Sequence, residues 1–137
     1  MISQLANLNW IGVLLAFITY FFLGALWFTL LFNKQYKISL GRDNETLPNK
    51  AIFIVGPALC TLVITVVTAV LMHALNIQSF GAALELSLIV GVGYLFANTV
   101  NIAINPNIPR PILYGIISGT YHLVGILLVS VILMAMK

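Results

Sequence analysis

The chain has 137 residues, of which 61% are hydrophobic and only 7% are charged, and its net charge is +3. Soluble domains contain roughly 45–50% apolar and about 25% charged residues, so this composition excludes a soluble globular protein. The sequence predicts a single domain over residues 1–137 that lies in a membrane. The basic residues are too few and too localised to indicate binding to nucleic acid.

Four apolar stretches are each long enough for a transmembrane helix, which needs about 20 residues. They cover residues 9–32, 51–76, 81–104 and 112–136, and only the third contains a charged residue, Glu85. Continuous runs of this length favour helices over the short alternating strands of a β-barrel, because a helix satisfies its own backbone hydrogen bonds in lipid. The predicted fold is an all-α integral membrane four-helix bundle made of two antiparallel helical hairpins.

The basic residues predict the orientation of these helices. Five of the six lie in the segments 33–50 and 105–111, as Lys34, Lys37, Arg42, Lys50 and Arg110. Two helices separate the segments, so both segments lie on one side, and the positive-inside rule places that side in the cytoplasm. The segment 33–50 is then a cytoplasmic loop in a protein of the cell (inner or cytoplasmic) membrane, and both termini lie on the non-cytoplasmic side.

Two tryptophans of the first helix are predicted to mark the membrane interfaces. Trp10 and Trp27 are 17 residues apart, which corresponds to about 25 Å along a helix. Tryptophan is enriched at both interfaces of a membrane, so these residues are expected to act as interfacial anchors at opposite ends of the first helix.

Each predicted helix carries one face of small and polar residues, which is typical of a surface that packs against another membrane helix. These faces contain Gly24 in the first helix, Gly91, Tyr94, Asn98 and Asn101 in the third, and Gly115, Ser118, Gly119, His122 and Gly125 in the fourth. A short loop joins the antiparallel third and fourth helices, so residues at equal distance from it should meet. This register pairs Asn101 with Gly115, Asn98 with Ser118, Tyr94 with His122, and Gly91 with Gly125.

The predicted register allows two interpretations of the polar residues. In the first, Asn98 and Asn101 hold two helices together and the glycines allow close packing. In the second, a candidate polar intramembrane site of Tyr94, Asn98, Asn101, Ser118 and His122 lines a cavity. A stripe packed without a void favours the structural interpretation, and a stripe beside a water-filled cavity favours transport.

His122 is the central residue of the second interpretation. It falls about 15 Å into the fourth helix, near the centre of the bilayer. Loss of hydration disfavours the charged ring there, so we expect a neutral ring bonded to Tyr94, with Tyr20 as the alternative partner. One histidine without nearby carboxylates or cysteines does not make a metal site, and no metal or cofactor is predicted.

A second candidate pair lies near the outer boundary. Glu85 is four residues from the start of the third apolar stretch, and His73 is at a similar depth in the second. The tight turn between these helices predicts a contact between His73 and Glu85, either as local structure or as a proton-sensitive pair.

Two stretches of the chain resemble a known family. The Asn-Trp pair at residues 9 and 10 is followed by LGALWFTLLFNKQY from Leu23 to Tyr36, and the chain closes with RPILYGIISGTYHLVGILLVSVIL. These stretches resemble domain of unknown function 1761, a family of small, mostly bacterial, multi-pass membrane proteins. Gly24 and Trp27 fit the family pattern, and Phe28 stands in the place of a tyrosine. The resemblance implies a four-helix membrane protein and brings no established activity or catalytic residue.

The sequence gives little support to an enzyme. It contains no Ser-His-Asp arrangement, no paired intramembrane acids, no phosphate loop and no cysteine pair, since Cys60 is the single cysteine. We therefore predict a multi-pass membrane protein of unknown biochemical role that acts as a binding, assembly or sensing module. The alternative is a small transporter or channel subunit with a polar pathway between helices three and four. Membrane lipid and a second copy in a homo-oligomer are the expected partners; a ligand is not identified.

Overall fold

The computed structural model describes residues 1–48 and 50–137; Asn49, in the predicted loop 33–50, lies outside the described residues. The described chain is all-helical. Four of its helices are long and apolar enough to cross a membrane, namely the first helix Trp10–Leu31, the second helix Ile52–Ala74, the third helix Phe80–Ala103 and the fourth helix Pro111–Ala135. The chain is therefore a multi-pass membrane protein.

The first helix begins where an asparagine caps it. The side chain of Asn9 accepts hydrogen bonds from the backbone N–H groups of Ile11 and Gly12, which satisfies donors that a helix start leaves free. The helix is regular over Trp10–Leu26 and ends in a π-helical turn over Trp27–Leu31. A short 3₁₀ helix, Ile2–Asn7, precedes it.

The predicted cytoplasmic loop contains a further helix, Asn33–Ser39, which the sequence interpretation treated as loop. The segment holds no glycine or proline, so nothing in it interrupts a helix. Gly41 follows with a φ of +67°, a left-handed conformation that glycine adopts without steric cost and that commonly ends helices. The connection to the second helix is therefore shorter than predicted.

The third helix is not regular along its whole length. It is α-helical over Phe80–Val90 and Ala97–Ala103, with a π-helical turn over Gly91–Phe96 between them. A π turn contains one residue more than an α-helical turn. The residues that face a neighbouring helix therefore follow a different spacing in the sequence across this turn. Residues of the buried side are Ala83 and Ser87 before the turn, Gly91 at its first position, and Ala103 after it.

The fourth helix is the centre of the fold. It contacts the first, second and third helices, whereas the third packs chiefly against the fourth. Half of its most apolar 18-residue stretch is buried, against 17% in the third helix. Pro111 occupies its start, where the missing N–H of proline costs no helical hydrogen bond. The division of the helices into two separate hairpins stays a prediction.

Contacts at the two ends of the helices agree with four crossings. At one end, which we call the basic end (residues 33–48, 50–51 and 104–110), the backbone N–H of Arg110 donates to the Ser39 carbonyl at 3.2 Å. At the other, which we call the terminal end (residues 1–9, 75–79 and 136–137), Asn9 Nδ2 donates to the Met136 carbonyl at 2.6 Å. The two basic segments therefore lie together, opposite both termini.

Glycines allow close approach along the fourth helix. The nearest neighbour of an ideal Cβ built on Gly115 is Val100, and for Gly119 it is Phe96. On Gly125 such an atom would lie 2.0 Å from Cε2 of Tyr20, a residue with no exposed surface. Real side chains cannot approach this closely, so the first helix can pack here only if position 125 lacks a side chain.

We expect Gly125→Ala to lower the free energy of unfolding by about 1–3 kcal/mol, the usual cost of overpacking a core. The ring of Tyr20 is fully buried, so making room for the added methyl group displaces side chains packed around the ring. The control is Gly56→Ala, because a Cβ on Gly56 meets nothing within 4 Å and alanine favours a helix. Unfolding in mixed detergent micelles measures both, and equal stabilities of the two variants would contradict this account.

Candidate functional site

A tyrosine and a histidine form a hydrogen bond between the first and fourth helices. The Tyr20 hydroxyl lies 2.6 Å from Nδ1 of His122. Tyr20 is fully buried, and His122 is partly buried. The predicted partner Tyr94 is wrong, since its side chain is 72% exposed; the alternative partner, Tyr20, makes the contact. Two polar groups in the apolar interior therefore satisfy each other.

Aromatic rings surround this pair. The ring centroid of Tyr121 lies 5.3 Å from that of Tyr20 and 4.7 Å from that of His122. Gly24 makes room for Tyr121, because an ideal Cβ there would lie 2.9 Å from the tyrosine hydroxyl oxygen. The sequence interpretation did not single out Tyr121 as a site residue, although it precedes His122 in the chain.

Trp27 belongs to the core and not to a membrane interface. Only 8% of its surface is exposed, and its Nε1 donates to the carbonyl of Ile117 at 3.0 Å. The predicted role of Trp27 as an interfacial anchor is therefore wrong: its polar N–H finds a partner inside the protein, so the ring need not reach the headgroups. Trp10 lies at the terminal end and is 53% exposed, a position suited to an anchor.

Ser118 has a buried hydroxyl that lacks a partner. Its oxygen forms no hydrogen bond with any described residue, and only 5% of the surface of Ser118 is exposed. It lies one turn before His122 on the fourth helix. By contrast, Ser87 and Ser130 bond each other at 2.5 Å across the third and fourth helices. This second polar contact was not predicted, because no local pattern marks Ser130 as the partner of Ser87.

The polar stripe of the third helix lies outside this cluster. Tyr94, Asn98 and Asn101 are exposed and line an open, shallow depression together with Gly93 and Ala97. The predicted pairs Asn98–Ser118, Asn101–Gly115 and Tyr94–His122 are therefore wrong. The π turn is the physical reason, since its extra residue carries Phe96 and Val100 to the face that meets Gly119 and Gly115.

The predicted contact between Gly91 and Gly125 is also wrong, because each glycine faces a different residue. An ideal Cβ on Gly91 would lie 2.7 Å from Leu123 Cδ1, and Gly125 meets Tyr20 of the first helix. Gly91 and Gly125 are thus both packing positions, as predicted, but they serve different neighbours.

The candidate pair near the outer boundary does not form. Among the described residues no hydrogen bond or salt bridge joins His73 and Glu85, and Glu85 is exposed. His73 instead lines a small cleft at the terminal end with Asn9, Met136 and Lys137. The Nζ of Lys137 donates to the carbonyl of Ile77 there.

A pair of tyrosines lies at the basic end. The rings of Tyr36, in the short helix, and Tyr114, in the fourth helix, are 5.7 Å apart. Burial raises the pKa of the Tyr36 hydroxyl well above its usual value, and the neighbouring Tyr114 raises it further. The contact of Tyr36 with Tyr114 therefore packs the short helix against the start of the fourth helix.

A double-mutant cycle tests the bond between Tyr20 and His122. We expect Tyr20→Phe and His122→Leu to show a coupling of about 0.6 kcal/mol, and at most about 1.7, the range of polar contacts between membrane helices. Unfolding in micelles at high dilution gives the free energies. Tyr94→Phe is the control, because it removes a hydroxyl that bonds no described residue. A coupling of zero would contradict the assigned bond.

Comparison with known proteins identifies a family and adds no activity. A family described as "Protein of unknown function (DUF1761)" matches residues 11–134, which include the Tyr20–His122 pair and the exposed stripe. No curated protein and no solved structure matches the chain.

Proposed function

Because the chain belongs to the DUF1761 family, whose function is unknown, we propose a role from its own surface: a membrane assembly module whose third helix binds another transmembrane segment. The observation that supports this role is the outward stripe of Tyr94, Asn98 and Asn101. All three side chains are exposed, and none bonds a described residue.

The hydrocarbon core makes such exposure costly. It contains no water, and an unsatisfied polar group there costs several kcal/mol. Tyr94 lies nine residues from Ala103, the nearer end of the helix, which is about 14 Å. Helical side chains tilt toward the N-terminus, so the hydroxyl of Tyr94 points away from that end. A partner helix would satisfy it.

Other polar side chains of the membrane helices differ from the stripe because they have hydrogen-bond partners within the chain. Thr61, Thr65 and Thr68 each donate to a carbonyl of their own helix. Ser87 bonds Ser130, and Tyr20 bonds His122. Polar residues of membrane helices generally face protein, and the stripe departs from this rule unless protein covers it.

The packing of the third and fourth helices disfavours the transport alternative. An ideal Cβ on Gly91, Gly115 or Gly119 would meet the facing helix at 2.7, 3.1 and 2.7 Å. So close a contact leaves no room for a polar pathway between these helices. The proposal is therefore a binding role without transport between these helices.

The proposal places the chain in the cell membrane with its basic end in the cytoplasm, on the strength of the positive-inside rule. We expect Arg42→Cys and Lys137→Cys, each in a Cys60→Ser background, to react with a membrane-impermeant thiol reagent from opposite sides. Labelling of Arg42→Cys should require access to the cytoplasm. Labelling of both positions from one side would contradict four crossings.

Whether protein or lipid covers the stripe can be measured, and this tests the assembly role directly. A spin label at Tyr94, where it replaces a side chain of similar size on the stripe, should be several-fold less accessible to lipid-dissolved oxygen in native membranes than a label at Leu59. Leu59 is 58% exposed on the second helix and lies at a similar distance from the basic end. Equal accessibility at the two positions would mean that lipid covers the stripe, and would overturn the proposed role.

A further inference from the structure

Resting on the proposed assembly role, we propose that the partner is a second copy of this chain. The two copies form a twofold dimer through their third helices, with Asn98 bonded to Asn98 of the partner subunit. The dimer face consists of Gly93, Tyr94, Ala97, Asn98 and Asn101, which share the exposed side of the helix and line one shallow depression.

The chemistry of the amide favours an identical partner. The asparagine side chain carries both a donor NH₂ and an acceptor oxygen, so two equal amides satisfy each other with reciprocal hydrogen bonds. Asn98 and Asn101 are uncharged, so the partner does not have to carry a charged residue at the same position. A surface of this kind is self-complementary, as a twofold interface requires.

Membrane geometry brings the two amides together. Copies of one protein share the same orientation in the membrane, and a twofold axis along the membrane normal places each residue at the same depth in both. Asn98 therefore meets Asn98 of the partner subunit, and Asn101 lies one turn nearer the basic end in both copies. A partner of another sequence would have to carry a matching group at that depth.

Small residues beside the amides allow the helices to approach. Gly93 and Ala97 are four residues apart, the spacing at which small side chains permit close contact between membrane helices. A Cβ built on Gly93 meets nothing within 4 Å in the single chain, so this glycine serves no packing need inside the fold. The space beside Gly93 is therefore available to a helix of another chain.

The dimer leaves the fold of each chain intact. Phe96, Val100 and Ala103 face the fourth helix, and the amides occupy the opposite side of the third. Glu85 is also exposed on this helix, but it lies 13 residues from Asn98, about 20 Å away. Helices that cross near Asn98 diverge over that length, which keeps the two carboxylates apart.

Energy transfer between labelled chains in vesicles tests the dimer. The purified full chain carries donor or acceptor dye at Lys137→Cys in a Cys60→Ser background, and dilution with lipid gives the dissociation constant. We expect Asn98→Leu with Asn101→Leu to weaken association about tenfold to a hundredfold, or about 1.4–2.8 kcal/mol. Gly93→Leu should abolish it by blocking close approach.

The matched control is Gly56→Leu, since a Cβ on Gly56 also meets nothing within 4 Å but lies on the second helix. It should leave association unchanged. Unfolding in dilute micelles should give every variant at least the stability of the parent chain, which shows that a loss of transfer is a loss of contact between folded chains.

The outcomes separate the dimer from the assembly role. No transfer in the parent chain, with a label at Tyr94 protected from oxygen in native membranes, would overturn the dimer and leave a partner of another sequence. No transfer with a label at Tyr94 fully accessible to oxygen would overturn both. Transfer that survives Gly93→Leu and the double asparagine variant would place the contact on another face and overturn the dimer proposed here.

Discussion

The contact of Tyr20 with the fourth helix is the constraint on which the arrangement depends. Gly125 has no side chain, so the tyrosine ring occupies the space beside it and brings the hydroxyl within 2.6 Å of His122 Nδ1. Tyr20 therefore both fills the space beside Gly125 and supplies the hydrogen-bond partner of His122. The aromatic cluster with Tyr121 and Trp27 forms around this contact. Since the fourth helix also packs on the second and third, its position fixes theirs.

The π turn of the third helix decides which polar groups remain inside. Before the turn, Ser87 faces the fourth helix and bonds Ser130. Phe96, at the end of the turn, and Val100, after it, take the inner side, and the amides are turned outward. One extra residue in a single turn therefore divides the polar residues of this helix into a satisfied internal group and an unsatisfied external one.

This division gives the molecule two surfaces of different character. Among the described residues, the buried side-chain polar groups have hydrogen-bond partners, with Ser118 as the exception. The exposed side of the third helix offers the hydroxyl of Tyr94, about 14 Å from the nearer end of the helix, where the hydrocarbon core supplies no hydrogen-bond partner. Association of helices in membranes relies on close packing and polar contacts rather than on burial of apolar surface, and this side supplies the elements of both. The assembly role that we propose rests on that contrast.

The sequence by itself determined the class, the four apolar helices and the family, because these depend on composition and on the length of apolar runs. It also identified the glycines as packing positions, since small residues mark close contacts wherever they lie. Only the tertiary structure decided which faces meet. The predicted register assumed regular helices, and the extra residue of the π turn shifted every pair beyond Gly91. The partner of His122 and the buried place of Trp27 were likewise decided by contacts between residues distant in the chain, and no local pattern encodes such contacts.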